Sequence, residues 1–241
     1  MRRRGSLVAL GTLIAAPALF AQTPPPAPAA ASAAGAAAPE IKALGNDRYQ
    51  IGRIVVDKRA GRFTAPGRVH ALGKPLEYLA STPGGMKAYE ALFELEASGT
   101  EFNLACFLIG LEPDPQQPSW RQFRETPRLR GRPLSISVAW TDAGRRRELP
   151  AAEALLGADA GVDASTVQWV YVGSPASEVH GRFAAEETGT LIGFIHDANS
   201  IIESVAAIGV GAYGSVRGND KLLPPNGSAI ELIVAAPAAA R

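Results

Sequence analysis

Two carboxylates, a lysine and a tyrosine fall close together in the stretch LEYLASTPGGMKAYEALFELEA, from Leu76 to Ala97. Glu77 precedes a Pro-Gly-Gly turn, and Lys87, Tyr89 and Glu90 follow it. Glycine accepts positive φ at little cost, so Pro83-Gly84-Gly85 suits a reversal that brings its two flanks side by side. Glu77 and Lys87 then come within reach of each other. Two chemistries suit such a set. A carboxylate in a cleft, with its pKa raised, serves as a general base. On an open face the same groups make a polar binding patch, or only a surface ion pair worth about 0–1 kcal/mol.

Other reactive patterns fail. No serine sits in a G-x-S-x-G elbow, and no G-x-x-x-x-G-K-[ST] phosphate loop occurs. His70, His180 and His196 are not spaced as H-x-H or H-x-x-x-H. Cys106 is the only cysteine, which excludes an internal disulfide and a cysteine-ligated zinc or iron–sulfur site within one chain. No cofactor and no metal are expected. The glycine-rich GVGAYGSVRG, Gly209 to Gly218, reads as a loop. Arg121, Arg124, Arg128, Arg130 and Arg132, beside Trp120 and Phe123, read as a solvated basic loop. Asn226-Gly227 reads as a turn rather than a glycosylation site.

The elements around these residues follow from periodicity. Tyr89, Ala91, Phe93 and Leu95 alternate with Glu90, Glu94 and Glu96, which predicts a strand with its carboxylates on one face. RYQIGRIVVD, RFTAPGRV (with Pro66-Gly67 as punctuation), PLEYLA, LSISVAW, VQWVYVGS, GTLIGFI and SAIELIVAAP predict further strands. TDAGRRRELP predicts a turn and a basic return. A helix is predicted over Ser98–Leu111, with Ser98 and Glu101 in capping-box spacing and Cys106 in its apolar body. Shorter helices are predicted for PAAEALLG and for SIIESVAAI, where Ser200 and Glu203 repeat the capping-box spacing. Together these predict an α+β fold: a mainly antiparallel sheet with two or three packed helices in a single domain.

The chain opens MRRRG and continues with an uncharged apolar run from Ser6 to Ala21, which reads as a secretory signal peptide over residues 1–21. Residues 22–39 are rich in Pro and Ala and read as a disordered linker. A globular domain is expected over 40–237, with a tail at 238–241. Removing Arg2, Arg3 and Arg4 leaves 21 basic residues of 24 against 23 acidic ones, a formal charge of −2. That balance gives no ground for nucleic-acid binding. The expected location is periplasmic or secreted, without stable membrane insertion after cleavage.

The order of IGRIVVDK, LEYLA, GGMKAYEALFELEA, FNLACFLIGLEP, ISVAW, WVYVGS, ETGTLIGFIHD and LLPPNGSAIELIVAAP resembles the YdjY-type bacterial domain over most of Ile51 to Pro237. The resemblance implies an envelope protein and carries no established activity. Its glycine turn is commonly followed by Lys-x-His-Glu; here those positions are Lys87, Ala88, Tyr89 and Glu90, so tyrosine replaces histidine. The resemblance implies a functional surface of Glu77, Lys87, Tyr89, Glu90, Trp140, Trp169, Gly173 and Ser174. The expected function is a non-catalytic binding module for an envelope protein, a cell-wall component or a small polar ligand. The alternative is a hydrolase-like enzyme with Glu77 or Glu90 as general base.

Overall fold

The computed structural model describes residues 39–118, 128–159, 162–176, 182–209 and 214–237. The expected signal peptide, nearly all of the linker, the tail, and Trp120, Arg121, Phe123, Arg124 and His180 lie outside those residues. Among the described residues 42% are in strands and 12% in helices. The fold is therefore mostly β, which corrects the α+β expectation.

The strands are β1 (Ile41–Gly45), β2 (Arg48–Ile51), β3 (Ile54–Asp57), β4 (Arg62–Val69), β5 (Tyr78–Ser81) and β6 (Ala91–Leu95). After helix α1 (Gly99–Leu108) come β7 (Ser135–Asp142), β8 (Arg145–Pro150), β9 (Leu155–Asp159), β10 (Val162–Asp163) and β11 (Trp169–Tyr171). Helix α2 (Ala184–Thr188) precedes β12 (Thr190–Gly193), β13 (Ile202–Ser204), β14 (Val216–Gly218) and β15 (Ala229–Ala235). Twelve strands form one sheet, ordered β1-β2-β3-β4-β6-β5-β12-β13-β11, with β15 joined to β4 and β7, and β8 joined to β7. A bridge between Leu134 and Trp169 then links the β7 end to β11. The path β4-β6-β5-β12-β13-β11-β7-β15 thereby returns to β4. A smaller sheet runs β10-β9-β14.

Long strands with one covered face carry the alternation seen in the sequence. In β4, Phe63, Ala65 and Val69 are buried while Arg62 and Arg68 are exposed. In β15 the buried set is Ile230, Leu232 and Val234, and in β7 it includes Ile136 and Val138. The strands β5, β6, β12 and β13 are short and buried at every position. Pro66 and Gly67 do not interrupt β4. The strand pairs with β3 through Arg62–Thr64 and with β6 through Gly67–Val69, so Pro66 stands at the exchange of partners, where its missing N–H is not needed. A Cβ on Gly67 would meet the Glu94 carbonyl oxygen at 2.3 Å, so glycine permits the close approach of β6.

Helix α1 begins as expected. Ser98 Oγ accepts from the Glu101 N–H at 3.2 Å, and Glu101 Oε2 accepts from the Ser98 N–H at 2.8 Å. Phe102, Ala105 and Cys106 are buried, and the Phe102 ring meets Phe63 edge-on at 5.2 Å. Phe107 is half-exposed, so the helix is not covered all round.

The other two predicted helices do not form. Pro150 ends β8, and Ala151 to Ala154 turn directly into β9. Ile202, Glu203 and Ser204 form β13, parallel to β12 and antiparallel to β11. The Ser200 hydroxyl is buried without a hydrogen-bond partner, so the repeated capping box is not made. Pairing on both edges and the branched Ile201 and Ile202 outweigh the local signal.

Candidate functional site

The expected reversal at Pro83-Gly84-Gly85 is not a hairpin. β5 and β6 run parallel, with Tyr78 opposite Ala91, Ala80 opposite Phe93 and Ser81 opposite Glu94. The chain must cross back between them. It does so over Thr82 to Glu90, through a turn closed by Gly85 N–H to Thr82 O at 3.1 Å and a 3-10 turn at Ala88–Glu90. Two bonds to the end of α2 hold this crossover: Thr82 N–H to Gly189 O and Met86 N–H to Thr188 O, both 2.8 Å. Gly85 packs on Gly189, where a Cβ would lie 3.2 Å from the Gly189 Cα.

Parallel strands start at the same end, and this sets the site. Glu77 stands just before β5 and Glu90 just before β6, and the Glu77 N–H donates to Glu90 O at 3.0 Å. The crossover places Lys87 between their carboxylates. Its Nζ lies 3.7 Å from Glu77 Oε2 and 3.2 Å from Glu90 Oε2. It also lies 3.3 Å from the Tyr89 hydroxyl and 5.6 Å from the centre of that ring. Glu90 is buried, Glu77 half-buried, and Tyr89 is 53% exposed. The strand predicted from Tyr89 therefore begins two residues later. Glu90 and Glu94 are buried rather than solvated, and Tyr89 faces solvent rather than the core.

Burial raises the pKa of Glu77, and the neighbouring Glu90 charge raises it further, against the pull of Lys87. For Lys87, burial favours the neutral amine, but hydrogen bonds to Tyr89 and Glu90 and both carboxylate charges outweigh it and raise its pKa. Lys87 is thus an ammonium at neutral pH and no nucleophile. Beneath the cluster, Tyr78 donates to Asp197 Oδ2 at 2.8 Å. Burial, then the Asp197 charge, pushes the Tyr78 phenol well above its ordinary pKa. Asp197 Oδ1 accepts from the Asn199 N–H at 3.0 Å and its Nδ2 at 2.9 Å. Sequence reasoning missed Tyr78 and Asp197 as neighbours of the site. Asp-x-Asn is a turn signal, and the turn is what aims Asp197 at Tyr78.

The remaining expected residues lie elsewhere. Trp140 is on β7 opposite Arg147. β15, β4 and β6 separate β7 from β5 along that path, about 19 Å at one strand spacing each. Trp169 is buried in β11, and its carbonyl accepts from the Leu134 N–H at 2.9 Å. Gly173 has φ of 65° and donates to Ile201 O at 3.1 Å. Ser174 Oγ accepts from the Ala185 N–H at 3.0 Å, so it caps α2 from outside the helix. Trp169, Gly173 and Ser174 each make a bond that ties neighbouring backbone segments together.

Cys106 is fully buried, and burial raises its thiol pKa well above the ordinary value. Buried His196 places Nε2 2.8 Å from Ser204 O. Asn226 turns the chain as expected and grips Leu72 by both backbone groups, at 2.9 and 3.2 Å. Gln117 Oε1 accepts from the Arg130 N–H at 2.9 Å, so this part of the basic loop is held. An open groove of about 800 Å³ lies between the end of α1, Arg130 to Arg132 and Tyr171. It does not touch Glu77, Lys87 or Glu90. Among the described residues no group of three or more His, Cys, Asp or Glu could hold a metal ion. No helix among them is long and apolar enough to cross a membrane.

No curated protein and no solved structure gives a significant match to the chain. The YdjY domain model matches residues 54–235, from the start of β3 to the end of β15, and the chain belongs to the YdjY domain family.

Proposed function

We propose that this domain is an exported binding module of the bacterial envelope, acting in the periplasm or after secretion. The ligand site is the rim formed by Lys87, Tyr89 and the carboxylates of Glu77 and Glu90. It takes a cell-wall component, a small polar ligand or an envelope protein. The observation that carries this reading is the exposure of Tyr89 and Met86, at 53% and 70%, on a crossover that is otherwise pinned to α2. A rigid backbone presenting an aromatic ring beside fixed charges suits recognition, because little side-chain freedom is lost on binding.

The test uses purified cell-wall sacculi and a detergent extract of the host envelope, each passed over the immobilised chain. Retention should be lost with Lys87→Ala and Tyr89→Ala; the unfolding temperature should stay near that of the parent chain for Tyr89→Ala and fall for Lys87→Ala, which leaves the buried Glu90 carboxylate unpaired. Equal retention by all three proteins would sink the proposal. One observation favours the second reading, a hydrolase-like activity: the raised pKa of Glu77 beside Glu90 suits a general base or acid. Products released from sacculi, abolished by Glu77→Gln, would select that reading over simple binding.

A further inference from the structure

The large sheet has two open ends among its described strands, β8 and β1, and they are treated differently. β8 reads Arg145-Arg146-Arg147-Glu148 and stops at Pro150. Charges and a terminal proline are the usual protection of an edge against pairing with a foreign strand. β1 reads Ile41-Lys42-Ala43-Leu44-Gly45, and all five residues are exposed. Ile41 and Leu44 are bare at 46% and 43%. A single lysine is the only charge within β1.

The direction of the free backbone groups follows from the turns. Ile51 and Ile54 flank the two-residue turn Gly52-Arg53, and residues in that place exchange hydrogen bonds with each other. The polar groups of Ile51 therefore point to β3. Ile51 is opposite Ile41 in β1. That pair is then a non-hydrogen-bonded one, and the N–H and C=O of Ile41 point outward. By alternation those of Ala43 do too, and the carbonyl of Pro39 continues the row.

We propose that β1 joins two copies of this chain through an antiparallel, two-fold pairing centred on Ile41. The register is dictated by charge. With Ile41 opposite itself, Lys42 of each copy faces Glu40 of the other, and the two exposed apolar side chains at the centre cover each other. Ile41 exchanges two hydrogen bonds across the axis, and each Ala43 N–H donates to the opposite Pro39 carbonyl. Pro39 has no N–H to return, so this pair makes one bond and the opposite Ala43 carbonyl stays hydrated. Centring on Lys42 instead would set like charges directly opposite each other. Two twelve-stranded sheets become one continuous sheet across the axis.

Sedimentation equilibrium on the purified chain tests the pairing. The parent chain should show a concentration-dependent monomer–dimer equilibrium. Lys42→Glu sets two carboxylates against each other and Glu40→Lys sets two ammoniums, so each should lose the dimer. The double variant, Glu40→Lys with Lys42→Glu, should restore it. Both sites are solvent-exposed, and circular dichroism should be unchanged throughout. A parent chain that stays monomeric to its solubility limit would overturn the proposal and leave the β1 edge to a strand of some other protein. A dimer that survives both single changes, or that the double variant fails to restore, would overturn the register.

Discussion

Glu77 and Glu90 are joined backbone to backbone at 3.0 Å, each just before one of two parallel strands, and their side chains share the Lys87 ammonium. The two strands run parallel, so both residues stand at the same end of the pair. The parallel crossover makes them neighbours; burial first, and then the Glu90 charge, make Glu77 hold its proton more tightly than a free carboxyl does.

That relationship gives stability a pH dependence. Glu77 has a raised pKa in the folded chain, so the folded state binds its proton more tightly than the unfolded state. The Glu77 contribution to stability is then most favourable below about pH 4 and is lost as pH rises through the folded pKa. Glu77→Gln removes this dependence. The unfolding temperature of the variant relative to the parent should climb between acid and neutral pH. A flat difference over that range would contradict the assignment.

Phe102 is fully buried and meets Phe63 edge-on between α1 and the sheet. Phe102→Ala should cost about 3–5 kcal/mol, from lost burial and the cavity left behind. Urea unfolding gives the figure. A loss below about 1 kcal/mol would mean that α1 is not packed on β4 as described.

Ser98 and Glu101 satisfy each other's backbone groups at the start of α1. Ser98→Ala should cost about 1 kcal/mol, within the usual range for a lost cap. The expected sign is the same at acid and neutral pH, because the seryl hydroxyl does not titrate there.

Cys106 should resist a thiol reagent in the native chain and react fully in denaturant, since it is buried and its pKa is raised. Rapid labelling without denaturant would show that α1 opens readily.

The proposed export predicts a mature chain that lacks its first ~18–21 residues. Intact mass of material from the native host reads this directly. A soluble exported protein that still carries Arg2, Arg3 and Arg4 would refute it.

Some of this structure was legible in the sequence because its cause is local. The capping box of α1 lies within four residues, and β7 and β15 alternate because one face meets the core and the other does not. The meeting of Lys87 with Glu77 was legible for the same reason, since a glycine turn lies between them. What was not legible depended on distant strands. Ser200 and Glu203 have helix-cap spacing, yet β11 and β12 claim that segment from both sides. Glu90 and Glu94 looked solvated by their alternation, yet β6 lies between β4 and β5 and is covered on both faces. Trp140 is separated from the lysine by three intervening strands, a distance that only the pairing order reveals.

The position of β15 between β4 and β7 governs when this chain can fold. Ala235 pairs with Arg62, so the closing contact joins segments at opposite ends of the domain. Contact order is high, and high contact order slows folding. Until β15 has been made, β4 and β7 lack the strand that joins them, and the edges they turn to each other stay unpaired. A nascent chain of this design cannot complete its sheet until its last strand has been synthesised.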